Sequence, residues 1–167
     1  MSAPGPVLRA GEMSRTDWQT PREVFDALNE EFRFTLDAAA SDHNHLCERY
    51  LTEAEDGLRS DWLDNVVFLN PPYGKGLEDW VKKCANASEM GATVVALLPS
   101  AVDTKWFRFA YATASEVRIV VGRVPFVRLD GKPSANTGGS LIVIWRAGWR
   151  HWDTRQGPPK VRLWDWR

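Results

Sequence analysis

Only two cysteines, Cys47 and Cys84, occur in the 167 residues, and they stand far apart. That fits a reducing cytoplasm better than a disulfide framework. His43 and His45 lie near Cys47, but no second Cys/His pair completes a zinc site, so they read as ordinary surface residues. No stretch approaches the roughly 20 apolar residues of a membrane span, and Met1 to Gly11 lacks the apolar core of a signal peptide. Excess charge is missing as well. A net charge of −1 gives no general attraction for a polyanion. The charge is uneven, however: from Arg146 onward six Arg or Lys face two Asp, giving +4 and leaving −5 for the rest. Four of the nine tryptophans, at 149, 152, 164 and 166, fall in this stretch, and Trp145 immediately precedes it. Two readings of it stand side by side: a basic, aromatic grip on phosphates and bases, or a tail that wraps the domain and buries its rings.

What is present reads as one α/β domain with a real core, since 44% of the residues are hydrophobic. Residues 1–13, with Pro4, Gly5, Pro6 and Gly11, read as a loose leader, 14–146 as the domain and 147–167 as the basic tail. Thr20, Pro21 and Glu23 predict a capped helix start, with Val24, Phe25, Leu28 and Phe32 on its apolar face. Phe34 to Asp37 predicts a buried strand ending in an acid, followed by small residues Ala38 to Ser41. A short helical piece around Asn44 to Arg49 and an extended Tyr50 to Thr52 come next. Glu53, Glu55 and Asp56 follow as candidate hydroxyl or amine ligands. Val66 to Leu69 is a short buried strand. Leu77, Trp80, Val81 and Cys84 mark a helix ending near Gly91. Thr93 to Leu98 is a strand closed by Pro99, and Asp103 or Thr104 opens a helix with Trp106, Phe107 and Ala110 as core candidates. Strands are predicted at Val117–Val121, from Gly122 through Val127 and at Leu141–Trp145, which makes a mainly parallel sheet turning antiparallel at its end.

The chain is organised around Asn70-Pro71-Pro72-Tyr73, which directly follows the strand Val66–Leu69. Two prolines forbid both further ladder pairing and an immediate helix, so an amide and an aromatic ring sit on a stiff turn at a strand's carboxyl end. Ligands of open α/β sheets bind there. The Asn70 side-chain oxygen and the Pro71 carbonyl can both accept protons from a planar NH₂ group. Holding both protons aims the nitrogen lone pair at an electrophile. Tyr73 can stack on the ring that carries the amine. A proline-rich turn capped by Asn is the purely structural alternative.

The wider pattern is Asp17-Trp18-Gln19-Thr20-Pro21, Leu36-Asp37-Ala38-Ala39-Ala40, Asp56-Gly57-Leu58, Asn70-Pro71-Pro72-Tyr73, Leu97-Leu98-Pro99, Trp106-Phe107 and Gly138-Gly139-Ser140. Together these resemble the phage-type DNA N-6-adenine methyltransferases, a Dam-like family, over about Asp17 to Trp145. The resemblance implies a compact Rossmann-like fold, α/β with helices on both faces of the sheet, that uses S-adenosylmethionine and needs no metal. It implies methyl transfer to the N6 amine of adenine in DNA, with the base flipped out and held at the motif. Asn70 and Pro71 would accept the amine protons, Pro72 would fix the turn and Tyr73 would stack. Trp18, Thr20, Pro21, Asp37, Ala39, Asp56 and Asn70 would form the cofactor side. The usual glycine-rich cofactor loop is absent, so Asp37 and the alanines would do its work. A cytoplasmic phage or prophage protein in a bacterial host is the implied setting.

Three alternatives stand. Cytosine N4 methylation uses the same geometry, although Ser is commoner at the first motif position there. Related enzymes present the same tetrapeptide to RNA or to protein glutamine, but usually with the glycine-rich loop. A DNA-binding remnant without catalysis is the third, and the intact motif argues against it. Carbon-5 cytosine methylation is disfavoured, because its thiol usually follows proline and here Leu46 precedes Cys47 and Lys83 precedes Cys84. The loop after Tyr73, the segment Arg123 to Ser140 and the basic tail are the candidate DNA contacts.

Overall fold

The segment Thr93–Pro99, TVVALLP, is apolar on both faces, and in the structure, a computed structural model, it is the strand around which the sheet is built. The structure describes residues 18–128, 130–132, 138–150, 152–153 and 155–167. The leader expected at 1–13 lies outside the described residues. In chain order the elements are β1 (Trp18–Gln19), α1 (Arg22–Phe32), β2 (Leu36–Asp37), a single 3₁₀ turn (Glu53–Glu55), β3 (Val66–Leu69), α2 (Leu77–Glu89), β4 (Thr93–Pro99) and α3 (Lys105–Thr113). Then come β5 (Glu116–Val120), β6 (Val127–Arg128), β7 (Ser140–Trp145) and β8 (Lys160–Trp164).

Six strands form one sheet in the order β2-β3-β4-β7-β5-β8. Five run parallel, and β7 runs against them between β4 and β5. β1 and β6 pair antiparallel as a separate two-stranded ribbon. Side chains alternate across the sheet. Val94, Ala96 and Leu98 of β4 pack with Leu77, Val81 and Cys84 of α2 and Ala110 of α3. Val95 and Leu97 pack on the other side with Val24, Phe25, Leu28 and Phe32 of α1. The antiparallel sense of β7 places its first residue, Ser140, beside Pro99, and its last, Trp145, beside Val94.

Several local expectations give way to other partners. No Thr20 capping box forms: Pro21 is the N-cap of α1, and no side chain caps it. The box appears instead at Thr52, whose backbone N and Oγ1 both donate to Glu55 Oε2, at 2.7 and 3.0 Å. Asn44 to Arg49 is not helical, because the Leu46 amide donates to Asp37 Oδ2 at 3.0 Å and Ser41 bridges Asn44. Of the strand expected from Gly122 to Val127 only Val127 is in a strand, where β6 pairs with β1. Pro125 removes a ladder donor just before it.

The C-terminal stretch is tied into the sheet. β8 runs parallel to β5, and Trp164 and Trp166 pack, partly buried, against the α1 side of the core. Arg118, wholly buried on β5, pairs with Glu31 of α1 at 2.7 Å and with Glu116 at 2.8 Å. Glu116 also takes Arg162 of β8 at 2.7 Å and Arg146 at 3.1 Å. Burial alone would raise the Glu116 carboxyl; the guanidiniums of Arg118 and Arg162 outweigh it and hold it at about 2.

Candidate active site

A cleft of about 1150 Å³ opens at the carboxyl ends of β2, β3 and β4. That slightly exceeds the roughly 300–1,000 Å³ of ordinary small-molecule sites, so there is room for more than one ligand ring system. Trp18, Thr20, Asp37, Ala39, Asp56, Asn70, Pro71, Pro72 and Tyr73 all line it. Pro21 does not. It is buried behind Thr20, and its carbonyl accepts from the amides of Val24 and Phe25 to begin α1.

Asn70 Nδ2 donates to Thr20 Oγ1 at 3.0 Å. Thr20 is buried, and the carboxamide turns its nitrogen toward that hydroxyl. With the nitrogen committed to Thr20, Oδ1 is the atom left to accept a substrate proton. Tyr73 has a partly exposed ring whose hydroxyl donates to the Leu97 carbonyl at 3.2 Å. The ring stands edge-on to Phe126 with centroids 6.4 Å apart, and burial raises its pKa.

Asp37 is 4% exposed, and among the described residues no Lys or Arg forms an ion pair with it. Burial pushes its carboxyl up to about 6 against the pull of the Leu46 and Ala39 amides. A nearly dry carboxylate in a cleft that no Lys or Arg lines among the described residues has the chemistry to receive a positive group. Ala38, Ala39 and Ala40 line the cleft beside it and keep that wall thin. Gly57 closes the wall: a Cβ there would overlap the Ala38 carbonyl oxygen and come within 2.8 Å of the Trp80 ring. Of the three acids considered, Glu53 and Asp56 line the cleft, whereas Glu55 is occupied by Thr52.

Trp80 and Phe126 also line the cleft, and sequence reasoning assigned neither to it. Trp80 was expected on the core face of α2. It does stack on buried Trp62, with centroids 6.4 Å apart at 23°, but stays partly exposed toward the cleft. Its place at the end of the apolar stripe was the one available signal; Phe126 carried none. His43, expected as an ordinary surface residue, is exposed and lines the cleft as well. Both cysteines are buried, and burial together with the Asp37 charge pushes the Cys47 thiol up to about 12. Such a thiol is no nucleophile near neutral pH. Among the described residues no three His, Cys, Asp or Glu converge on a metal position, and no helix is long and apolar enough to cross a membrane.

A cleft across the carboxyl ends of a mostly parallel sheet, with a carboxamide and an aromatic ring in its lining, defines an α/β protein with a ligand-sized site at the sheet's carboxyl edge. Residues 10–156 match the family model described as DNA N-6-adenine-methyltransferase (Dam). A DNA N-6-adenine-methyltransferase of Escherichia phage T1 is 37% identical over 133 residues, which cover 78% of this chain and 55% of that protein. Another, of Haemophilus phage HP1 (strain HP1c1), is 33% identical over 133 residues, covering 77% of each chain. The chain belongs to the DNA N-6-adenine-methyltransferase (Dam) family. The matched stretch spans little more than half the length of the phage T1 relative.

Proposed function

We propose that this protein transfers a methyl group from S-adenosylmethionine to the N6 amine of adenine in DNA, and that its Rossmann-like sheet holds both partners in the one cleft. The observation that carries this reading is the Asn70 carboxamide, held by Thr20 so that its oxygen remains the free acceptor. Asn70 Oδ1 and the Pro71 carbonyl take the two amine protons and aim the lone pair, and Pro72 keeps that carbonyl rigid. Bound S-adenosylmethionine supplies an electrophilic methyl group. Asp37 suits its ammonium, and the thin alanine wall with Gly57 admits it closely. Trp18, Asp56 and Trp80 flank that side of the cleft. Because the adenine amine lies inside the base stack, the nucleotide is extruded to reach the turn, where Tyr73 supports the ring. The test is incubation with labelled S-adenosylmethionine and DNA, followed by digestion and chromatography of the nucleosides. N6-methyladenine is the expected product; label in N4-methylcytosine, or none in DNA, would overturn the assignment.

Two smaller predictions separate roles within the site. Thr20→Val removes the acceptor that fixes Asn70, so kcat is expected to fall about tenfold, the scale of one hydrogen bond. Cofactor affinity holds in that variant, and Thr20→Ser restores the rate. A raised cofactor Kd with normal kcat would instead make Thr20 a direct cofactor contact. For Tyr73, loss of the hydroxyl in Tyr73→Phe costs about 1 kcal/mol of stability through the Leu97 bond. Tyr73→Ala weakens DNA binding by roughly 1–3 kcal/mol as well. Equal DNA affinity in the two variants would remove the stacking role.

A further inference from the structure

The basic stretch after Trp145 is the one local excess of positive charge in the sequence, yet the fold carries most of it away from the cleft. Trp145 is level with Val94, at the amino end of β4, so Arg146 and the residues after it start from the far end of the sheet. The chain turns back only at Lys160, which is level with Glu116, the first residue of β5. From Val94 to Pro99 is five strand steps, roughly 16 Å. That is about two Debye lengths at physiological salt, enough to screen exposed charges from one another. The cations are also largely spent. Arg146 and Arg162 pair with Glu116, Arg155 with Asp153 and Arg167 with Asp165. Arg150 lies over the Trp152 ring at 5.3 Å.

Two cations beside cleft-lining residues are in a different condition. Lys75 comes two residues after Tyr73, exposed between Gly74 and Gly76, whose φ angles of 107° and 98° turn the loop back on itself. Arg123 is exposed on the loop after β5. Its Nη1 lies 3.5 Å from where a Cβ on Gly139 would stand, and Gly139 lines the cleft. Neither forms an ion pair among the described residues, and the nearby Glu78 at the start of α2 is taken by Lys82 at 2.8 Å. The two loops leave β3 and β5, three strand spacings apart in the sheet order, roughly 14 Å. Each loop adjoins a residue that lines the cleft, Tyr73 on one side and Gly139 on the other.

We propose that Lys75 and Arg123 hold the DNA phosphates on either side of the extruded nucleotide, and that the basic residues from Arg146 to Lys160, at the other end of the sheet, do not contact this DNA. The proposal rests on the reading of the cleft as a DNA adenine site. An extruded nucleotide leaves its 5′ and 3′ phosphates at the mouth, one toward each loop. These contacts carry no sequence information; they supply affinity and its salt dependence.

The test compares two charge-neutralised proteins with wild type. One is Lys75→Gln with Arg123→Gln; the other is Arg150→Gln, Arg155→Gln and Lys160→Gln. Binding of a fluorescent duplex drawn from DNA that the wild-type protein methylates is titrated at several salt concentrations, alongside cofactor affinity. The double variant is expected to bind more weakly, with the slope of log K against log salt shallower by about 2, one released counterion per lost contact. The triple variant keeps both the wild-type affinity and the wild-type slope, and both variants keep cofactor binding. An unchanged slope in the double variant, or a shallower one in the triple, overturns the proposal while leaving the DNA adenine reading intact. If the wild-type protein methylates no DNA, both readings fall together.

Discussion

Asn70→Ala is expected to slow methyl transfer by about 10²–10³-fold, or roughly 3–4 kcal/mol of lost transition-state stabilisation. The size follows from when the lost bond matters. A neutral amine needs its acceptors little; a nitrogen gaining positive charge as it forms a bond to carbon needs them much more. The loss therefore falls on kcat, and cofactor affinity stays near wild type. The fold survives, since among the described residues the substitution ends one side-chain hydrogen bond, that from Nδ2 to Thr20 at 3.0 Å. Asn70→Asp supplies the control. It keeps acceptor oxygens and can accept a hydrogen bond from the Thr20 hydroxyl, so it retains far more activity than the alanine variant. Single-turnover rates on DNA, with cofactor binding measured separately, check both. A normal rate in Asn70→Ala would move the active site elsewhere.

Asp37→Asn is expected to change stability and cofactor binding in opposite directions. Burial raises the Asp37 carboxyl from 3.8 to about 6, so between those values the folded protein holds a proton that the unfolded chain has released. Stability therefore falls as pH rises across that window, and above about 6 the buried charge costs roughly 3 kcal/mol. Asparagine can still accept a backbone amide but carries no charge. The variant should melt several degrees higher at pH 8 and show little difference at pH 4. The same charge is what a cofactor ammonium would neutralise. Wild-type affinity for S-adenosylmethionine should strengthen as pH rises through about 6. At pH 8 Asp37→Asn should bind more weakly by roughly 1.5–3 kcal/mol, the scale of a hydrogen bond to a charged group. Melting curves and calorimetric titrations at the two pH values read both effects. A lower melting temperature in the variant would make the carboxylate a structural group, and unchanged affinity would remove it from the cofactor's surroundings.

Both variants touch residues that stand out in the sequence, and the reason is local. Asn70 follows four apolar residues and precedes two prolines, so its placement on a stiff turn needs nothing beyond its neighbours. Asp37 closes a short apolar run in the same way. The three helices and the strands β3, β4, β5 and β7 are likewise written in periodicity that spans a few residues. Their burial matches it, from Val24, Phe25, Leu28 and Phe32 on α1 to the continuous run of β7.

Partners distant in the chain were decided by the tertiary structure alone. Thr20 has every local mark of an N-cap, yet its oxygen serves a side chain fifty positions away, because the fold brings a carboxamide donor to it. The capping box forms at Thr52, where no such competitor reaches the hydroxyl. Trp80 and Phe126 line the cleft only because α2 and the loop after β5 are brought beside Asn70 by the fold. The clearest case is the basic stretch. Its charge is a property of composition and was fully visible, but the antiparallel run of β7 puts Arg146 at the opposite end of the sheet from Asn70. Buried Glu116 then pairs with two of its half-exposed guanidiniums. Composition and short-range spacing determined which chemical groups this protein owns and on which elements they ride. Strand order and direction, set by long-range packing, decided which of those groups meet.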